Sequence, residues 1–319
     1  MENHVNGLTS LSDYILELAK YSSFFSLPTS QFRKLLVDHG LIGFAAADLI
    51  EELGLLGQKN QKPFLGFLDS ADFTEDIEKE PLLKVLICPA ELGTLLTKKD
   101  CSLIFSKNPK YTFFEINNKV ANARLRNSFA NSISNHSVIS PLANIATHSV
   151  IIEDGVCIDP NVTIYERVIV KRGAVIRSGA VIGSPGFEHK RGEGTILTVV
   201  HDGLTLIGED AEVGPGSIIG QGFYNRPTII GKNVKLDNLV SVAHASIIGD
   251  RTLIAAGAVI AGSVMVHEDV WIGPGAVISN NLELGRESFI ALGSQVFKSV
   301  GQGERVIGSP ARLLPYKQK

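Results

Sequence analysis

An imidazole is the side chain best suited to exchanging a proton near neutral pH, so the eight histidines of this 319-residue chain are the first places to look for chemistry. His244 is set apart by its context. It closes the run Asp237-Asn238-Leu239-Val240-Ser241-Val242-Ala243 and stands two residues after Val242, in the slot that Ala256 and Gly262 fill in later repeats. That slot predicts a turn whose side chain points outward, exposed enough to meet a substrate and serve as a general base. A solvated turn histidine fits the same slot. Eighteen residues further is Gly262, whose backbone N–H could meet a developing oxyanion because no side chain blocks the approach; a plain turn glycine fits equally. His267 sits in an acidic turn with Glu268 and Asp269 and reads as a surface residue, as do His4, His39, His136 and His148. His189 and His201 lie in a loop excursion, where ligand contacts usually concentrate.

Other chemistries find less support. A zinc site of the carbonic anhydrase type needs three convergent ligands, and His244 with His267 has no third partner in view. Gly183-Ser184-Pro185-Gly186 lacks the Gly-Lys-Ser/Thr continuation of a phosphate cradle. No Gly-x-Ser-x-Gly elbow occurs. Cys88, Cys101 and Cys157 are three cysteines at wide spacing, which suggests reduced thiols and neither a disulfide framework nor a metal site.

What positions His244 and Gly262 is a ladder. From Ile230 to Val296 every sixth residue is aliphatic: Ile230, Leu236, Val242, Ile248, Ile254, Ile260 and so on without a miss. A period of six suits neither a helix nor simple strand alternation. It suits a parallel β-helix in which each hexad is one short strand plus one turn and three hexads close a coil. The offset of eighteen then puts Gly262 one coil beyond His244 on the same edge. The ladder begins at Ile139, slips by one residue after Ile145, runs from Ile152 to Ile182, resumes at Ile207 and is disturbed again at Gln221 to Pro227. Residues 183–206 are the excursion.

The first 130 residues read as an α/β domain. Helices are expected from Thr9 or Ser10, from Thr29, over Ala45–Leu55, over Pro89–Thr97 and from near Tyr111; strands are expected at Phe64–Leu68, Leu83–Cys88 and Cys101–Phe105. Asn131 to His136 reads as a polar connector, and 131–312 is the β-helix domain. Gly303 to Arg312 reads as leaving the ladder, before a short tail at 313–319.

A net charge of −3, 44% hydrophobic and 20% charged residues describe a globular protein with no basic footprint for nucleic acid. The start Met-Glu-Asn-His-Val-Asn-Gly lacks the marks of a signal peptide, and no apolar stretch is long enough for a membrane span. A cytoplasmic protein is expected.

Val181-Ile-Gly-Ser-Pro-Gly-Phe187, Ile207-Gly-Glu-Asp-Ala-Glu-Val-Gly214, the block from Ile229 through Asp237-Asn238-Leu239-Val240 to Ala243-His244, Ile260-Ala261-Gly262-Ser263 and Gly308-Ser-Pro-Ala311 together resemble the hexapeptide acyltransferases of the lipid A type. Asn108-Pro-Lys-Tyr-Thr-Phe-Phe114 is similar to the end of that family's uridine-binding domain. The resemblance implies a mainly β fold, a left-handed parallel β-helix of hexapeptide repeats with an N-terminal α/β domain for nucleotide recognition. It also implies a homotrimer with active sites between subunits. The implied reaction moves an acyl group from a phosphopantetheine thioester, acyl-coenzyme A or acyl carrier protein, to the amine of a nucleotide-linked amino sugar in lipopolysaccharide or O-antigen synthesis.

On this resemblance His244 is the base and Gly262 the oxyanion glycine. Asp237, Asn238, Phe187, His189, His201 and Asn281 are candidates for the sugar-nucleotide side, and Ala261, Gly262 and Arg312 for the donor. No permanently bound cofactor or metal is implied. Gly220-Gln221-Gly222 replaces the family's Asp-Arg-Gly, Asn281 stands where a second histidine is expected, and no helical extension of the family's kind is expected in the residues after Arg312. The Gly-Phe-Glu excursion and Gly-Ser-Pro-Ala-Arg ending look more like sugar N-acyltransferases that use acyl-coenzyme A. A catalytically silent sugar-nucleotide-binding or assembly solenoid is the alternative.

Overall fold

The computed structural model describes residues 27–313 apart from 39, 41, 57–61, 95, 97–99, 224 and 225. The helix expected near Thr9, His4 and His39 lie outside the described residues. The chain divides into an α/β unit of residues 26–127 with 187–200, and a β-helical unit containing 128–186 and 201–319.

The β-helix is a left-handed parallel coil built as the hexads require. Short strands stack into sheets of eight, eight and ten strands, parallel in register at eighteen-residue steps such as Val242↔Ile260 and Ile260↔Ile278. The ladder residues point inward and form one continuous core, with Ile230, Ile248, Ile260, Ile272 and Ile278 fully buried. Between strands a residue with φ near +60° recurs every six positions, from Ser149 to Gly179 and from Asn233 to Gly293. It falls three residues after each inward aliphatic. Only part of this set is glycine: Leu239, Ala245, Arg251 and Glu287 hold the same left-handed conformation, at a cost of roughly 1–2 kcal/mol each that the stacked ladder must offset. Glycine content alone therefore underreports the turns.

Two boundaries differ from expectation. Ser132–Ile133, expected as connector, is already a strand, pairing with Ile151 and Ile152. Arg305–Gly308, expected to leave the ladder, adds a rung on Phe289–Ile290 and folds back on Ala311–Leu313. In both cases a buried partner strand supplies the backbone hydrogen bonds that the local sequence does not announce.

Along one corner, charges alternate from coil to coil. Arg251 Nε and Nη2 donate to Asp269 Oδ1 and Oδ2 at 2.7 Å each, and Arg286 stands 3.6 Å from the same carboxylate. The hydrogen bonds from Arg251 hold the Asp269 carboxyl below its ordinary value. A depressed folded value means the stabilisation is present above the unfolded value of about 3.9 and is lost as pH falls through the folded one. Asp269→Asn should lower stability at pH 7 by about 0.2–1 kcal/mol, the range for such surface pairs. Thermal unfolding at neutral and acid pH checks this: the gap from wild type should close as pH drops below about 4, and a gap that widens contradicts it.

The α/β unit has a four-stranded parallel sheet in sequence order. Phe64–Phe67, Leu83–Cys88 and Ser102–Phe105 are strands and Thr29–Asp38 is a helix, as their patterns predict. The helix expected over Ala45–Leu55 is cut to Phe44–Ala47, because Glu52–Leu53 pairs with Phe64–Leu65 and buries Leu53 at the sheet edge. The helix expected over Pro89–Thr97 is described only for Ala90–Gly93.

Pro109–Leu125 is the long helix, capped by Asn108 accepting from the Tyr111 amide, with Pro at its first turn. It buries Phe113 against Phe67, centroids 5.0 Å apart. Its other partner is the antiparallel hairpin His189–Arg191 with Ile196–Thr198. The Asn118 amide donates to Thr198 O at 2.7 Å and its Oδ1 accepts from Val200 N at 2.8 Å, and Asn108 donates to Arg191 O. These bonds explain why the middle of the excursion groups with the α/β unit and not with the β-helix that it interrupts.

Asn117, next on the same helix, is completely buried, and neither side-chain polar atom has a hydrogen-bond partner among the described residues. Burying such a group costs about 1–3 kcal/mol. Asn117→Leu should therefore stabilise the protein by about 1–2 kcal/mol, seen as a higher melting temperature; a lower one would contradict this reading of the helix.

Candidate active site

The eighteen-residue step does what the sequence predicts for Gly262. Val242 pairs with Ile260, so His244 and Gly262 occupy the same slot in successive coils, and Ser263 N donates to His244 O at 2.9 Å. A methyl group placed on Gly262 would lie 2.5 Å from His244 Cε1 and 2.8 Å from Nε2. The imidazole rests directly on the glycine backbone. Gly262 needs no unusual φ, so the absence of a side chain serves the ring's close approach and not the turn.

The amide at this slot lies outside the strand ladder. In two earlier hexads a carboxylate takes it: Lys232 N donates to Asp250 Oδ1, and Asn238 N to Asp237 Oδ1, both at 2.8 Å. At Gly262 no acceptor is recorded among the described residues. The Gly262 amide thus lies beside the imidazole with no acceptor among the described residues.

The expectation of an outward, exposed His244 is not met. The residue is 8% exposed. Three residues from the two departures from the regular coil enclose it. Gly186 lies against the ring, a methyl there being 2.7 Å from Cδ2. His201 and Phe223 present their rings edgewise at centroid distances of 5.5 and 5.0 Å. His201 is 6% and Phe223 4% exposed. His201 thus packs on the candidate base, where an open ligand contact was expected. The irregularity Gln221 to Pro227 is visible in the sequence, but neither Phe223 nor Gly186 is singled out there as a site residue. The signal is the glycine cluster itself, since Gly203 packs on the Gly222 backbone and Gly222 on that of Arg226, so closely that neither tolerates a Cβ.

The other candidates are distributed. Asn281 follows on the same corner, exposed, and donates its N–H to Gly262 O at 3.1 Å. Ala261 O accepts from Ser246 Oγ at 2.9 Å. Asp237 and Asn238 stand on the preceding corner of the coil, so within one chain they are not brought to the imidazole. They border an open cavity of about 410 Å³ lined by Arg177, Glu212, Lys235 and Trp271. Arg312 is exposed in the final hairpin. Phe187 and His189 belong to the α/β unit, Phe187 88% exposed with its ring 4.6 Å from that of His189, whose Nδ1 lies 3.1 Å from Thr198 Oγ1. His267 is a half-buried surface residue paired with Glu283 at 2.6 Å.

Alternative chemistries gain nothing. Burial pushes the Cys88 thiol up, away from the thiolate a nucleophile needs. Among the described residues no group of three or more His, Cys, Asp or Glu is placed to hold a metal ion. No helix among them is long and apolar enough to cross a membrane.

Coil, turn spacing and the His–Gly slot define a hexapeptide-repeat β-helix protein, and residues 149–184 and 227–262 match the family model described as bacterial transferase hexapeptide (six repeats). The chain is similar to curated proteins named UDP-3-O-acylglucosamine N-acyltransferase. That of Methylorubrum extorquens is 35% identical over 130 residues, 41% of this chain and 37% of the relative. That of Bordetella avium is 35% identical over 127 residues, 40% of this chain and 34% of the relative. The matched part thus spans little more than a third of these relatives' length. Among solved structures, a UDP-N-acetylglucosamine acyltransferase from Campylobacter jejuni aligns over 57% of this chain and 74% of its own at 18% identity, with a TM-score of 0.44.

Proposed function

We propose that the protein is an N-acyltransferase that moves an acyl group from a phosphopantetheine thioester to the amine of a nucleotide-linked amino sugar. The observation that carries the reading is the stacking of His244 on Gly262, a proton acceptor and a backbone donor side by side. An ammonium has no lone pair for attack, so the imidazole takes a proton as the amine nitrogen adds to the thioester carbonyl. The new C–N bond makes a tetrahedral oxyanion that the Gly262 N–H receives. Collapse breaks the C–S bond, the imidazolium returns its proton to the departing sulfur, and an amide and a free thiol leave.

The names of the relatives support a UDP-linked amino sugar as acceptor; lipid A or O-antigen synthesis is the proposed setting, and acyl-coenzyme A or acyl carrier protein the proposed donor. The α/β unit is the proposed nucleotide-recognition element, and a homotrimer is the proposed working form. The position of Asp237 and Asn238 on the neighbouring corner is consistent with their serving the His244 of another copy. Release of thiol from acyl-coenzyme A or acyl carrier protein, dependent on a UDP- or dTDP-linked amino sugar, tests the reading and separates the donors. Nucleotide binding without thiol release from either donor would replace it with a non-catalytic solenoid.

A further inference from the structure

We infer that Phe223 is a positioning residue, which holds the His244 imidazole over Gly262; the inference rests on the assignment of His244 as base. Phe223 and His201 meet His244 edge-on, at interplanar angles of 79° and 65°, and each other at 5.4 Å and 57°. All three rings are buried. With Gly186 against Cδ2 and Gly262 against Cε1, the imidazole is confined on four sides, and rotation about its side-chain bonds drives it into one of them.

The backbone that carries Phe223 is itself fixed. Gly203 N donates to Gly222 O at 2.9 Å, Gln221 Nε2 donates to Gly203 O at 3.2 Å, and Gln221 N donates to Ser184 O at 2.7 Å. A methyl on Gly203 would fall 2.4 Å from Gly222 C, and one on Gly222 2.3 Å from Arg226 O. The two departures from the regular coil are thus laced together through glycines. Their product is one wall of aromatic rings against one histidine. A buried ring edge against an imidazole supplies directional contact in addition to area, and catalytic groups depend on such support to keep productive geometry.

Phe223→Ala, Phe223→Leu and Phe223→Tyr test this in the full-length protein. For each, the rate of carbethoxylation at His244 by diethyl pyrocarbonate is followed by peptide mass spectrometry, alongside kcat, KM and thermal unfolding. The Ala variant should modify at His244 several-fold faster than wild type. Its kcat should fall by about 10²-fold, the scale for misplacing a reacting group by an ångström, with KM little changed, and the Tyr variant should recover both. If the Ala variant does not fold, the Leu variant carries the comparison. Wild-type His244 reactivity and kcat in the Ala or Leu variant would overturn the inference. Absence of acyl transfer in the wild-type protein would overturn the proposed function, while the reactivity comparison would still decide whether Phe223 positions His244.

Discussion

His244→Ala should lower kcat by about two to four orders of magnitude, the usual contribution of a general base, with the β-helix intact. The two halves of that expectation come from different features. The loss in rate follows because, among the described residues, no other imidazole occupies the slot: His201 packs on the rim of the ring, and His267 belongs to another corner, committed to Glu283. The intact fold follows because the ladder residue of this hexad is Val242, which stays buried and paired with Ile219 and Ile260 whatever stands two residues later. Thiol release and thermal unfolding, measured on the same preparation, separate the two. Near-wild-type turnover would remove His244 from the mechanism. A collapse of the melting temperature would show that the three-ring cluster is structural before it is functional.

Gly262→Ala should also be damaging, with kcat down by about 10²-fold, the scale for misplacing a reacting group by about an ångström. The added methyl cannot coexist with the ring, since 2.5 Å to Cε1 is closer than real carbon atoms come. The backbone of Gly262 accepts a side chain, because its φ is ordinary, so the strain falls on the imidazole and not on the turn. The variant should therefore melt close to wild type while turning over slowly, a combination that an ordinary turn glycine would not give. Unaltered kcat would contradict the stacking as the basis of the site.

Much of this was legible in the chain because a solenoid is nearly one-dimensional. The six-residue ladder puts Val242 and Ile260 in register, and the eighteen-residue step puts Gly262 one coil beyond His244 on the same edge. The periodicity could not say how much covers the turn, because cover comes from segments that break the period. Pro185 to Phe187, His201 to Gly203 and Gln221 to Phe223 have no hexad address, so the burial of His244 and the role of Phe223 were invisible to a reading based on address. The same holds for Phe187 and His189: their fate was set by Asn118, 80 positions before Thr198. Helix 45–55 failed for a related reason, as the sheet edge at Phe64–Leu65 captured Glu52–Leu53 and tertiary pairing overrode a helical pattern.

The most direct test is a crystal structure of the protein with a non-hydrolysable acyl-phosphopantetheine analogue and a nucleotide-linked amino sugar. The account predicts the acceptor nitrogen within about 3.2 Å of a His244 ring nitrogen, and the carbonyl oxygen about 2.7–3.1 Å from Gly262 N. An acceptor amine or thioester seated elsewhere, for example on the cavity at Trp271 and Lys235 with the His244 slot untouched, would contradict it.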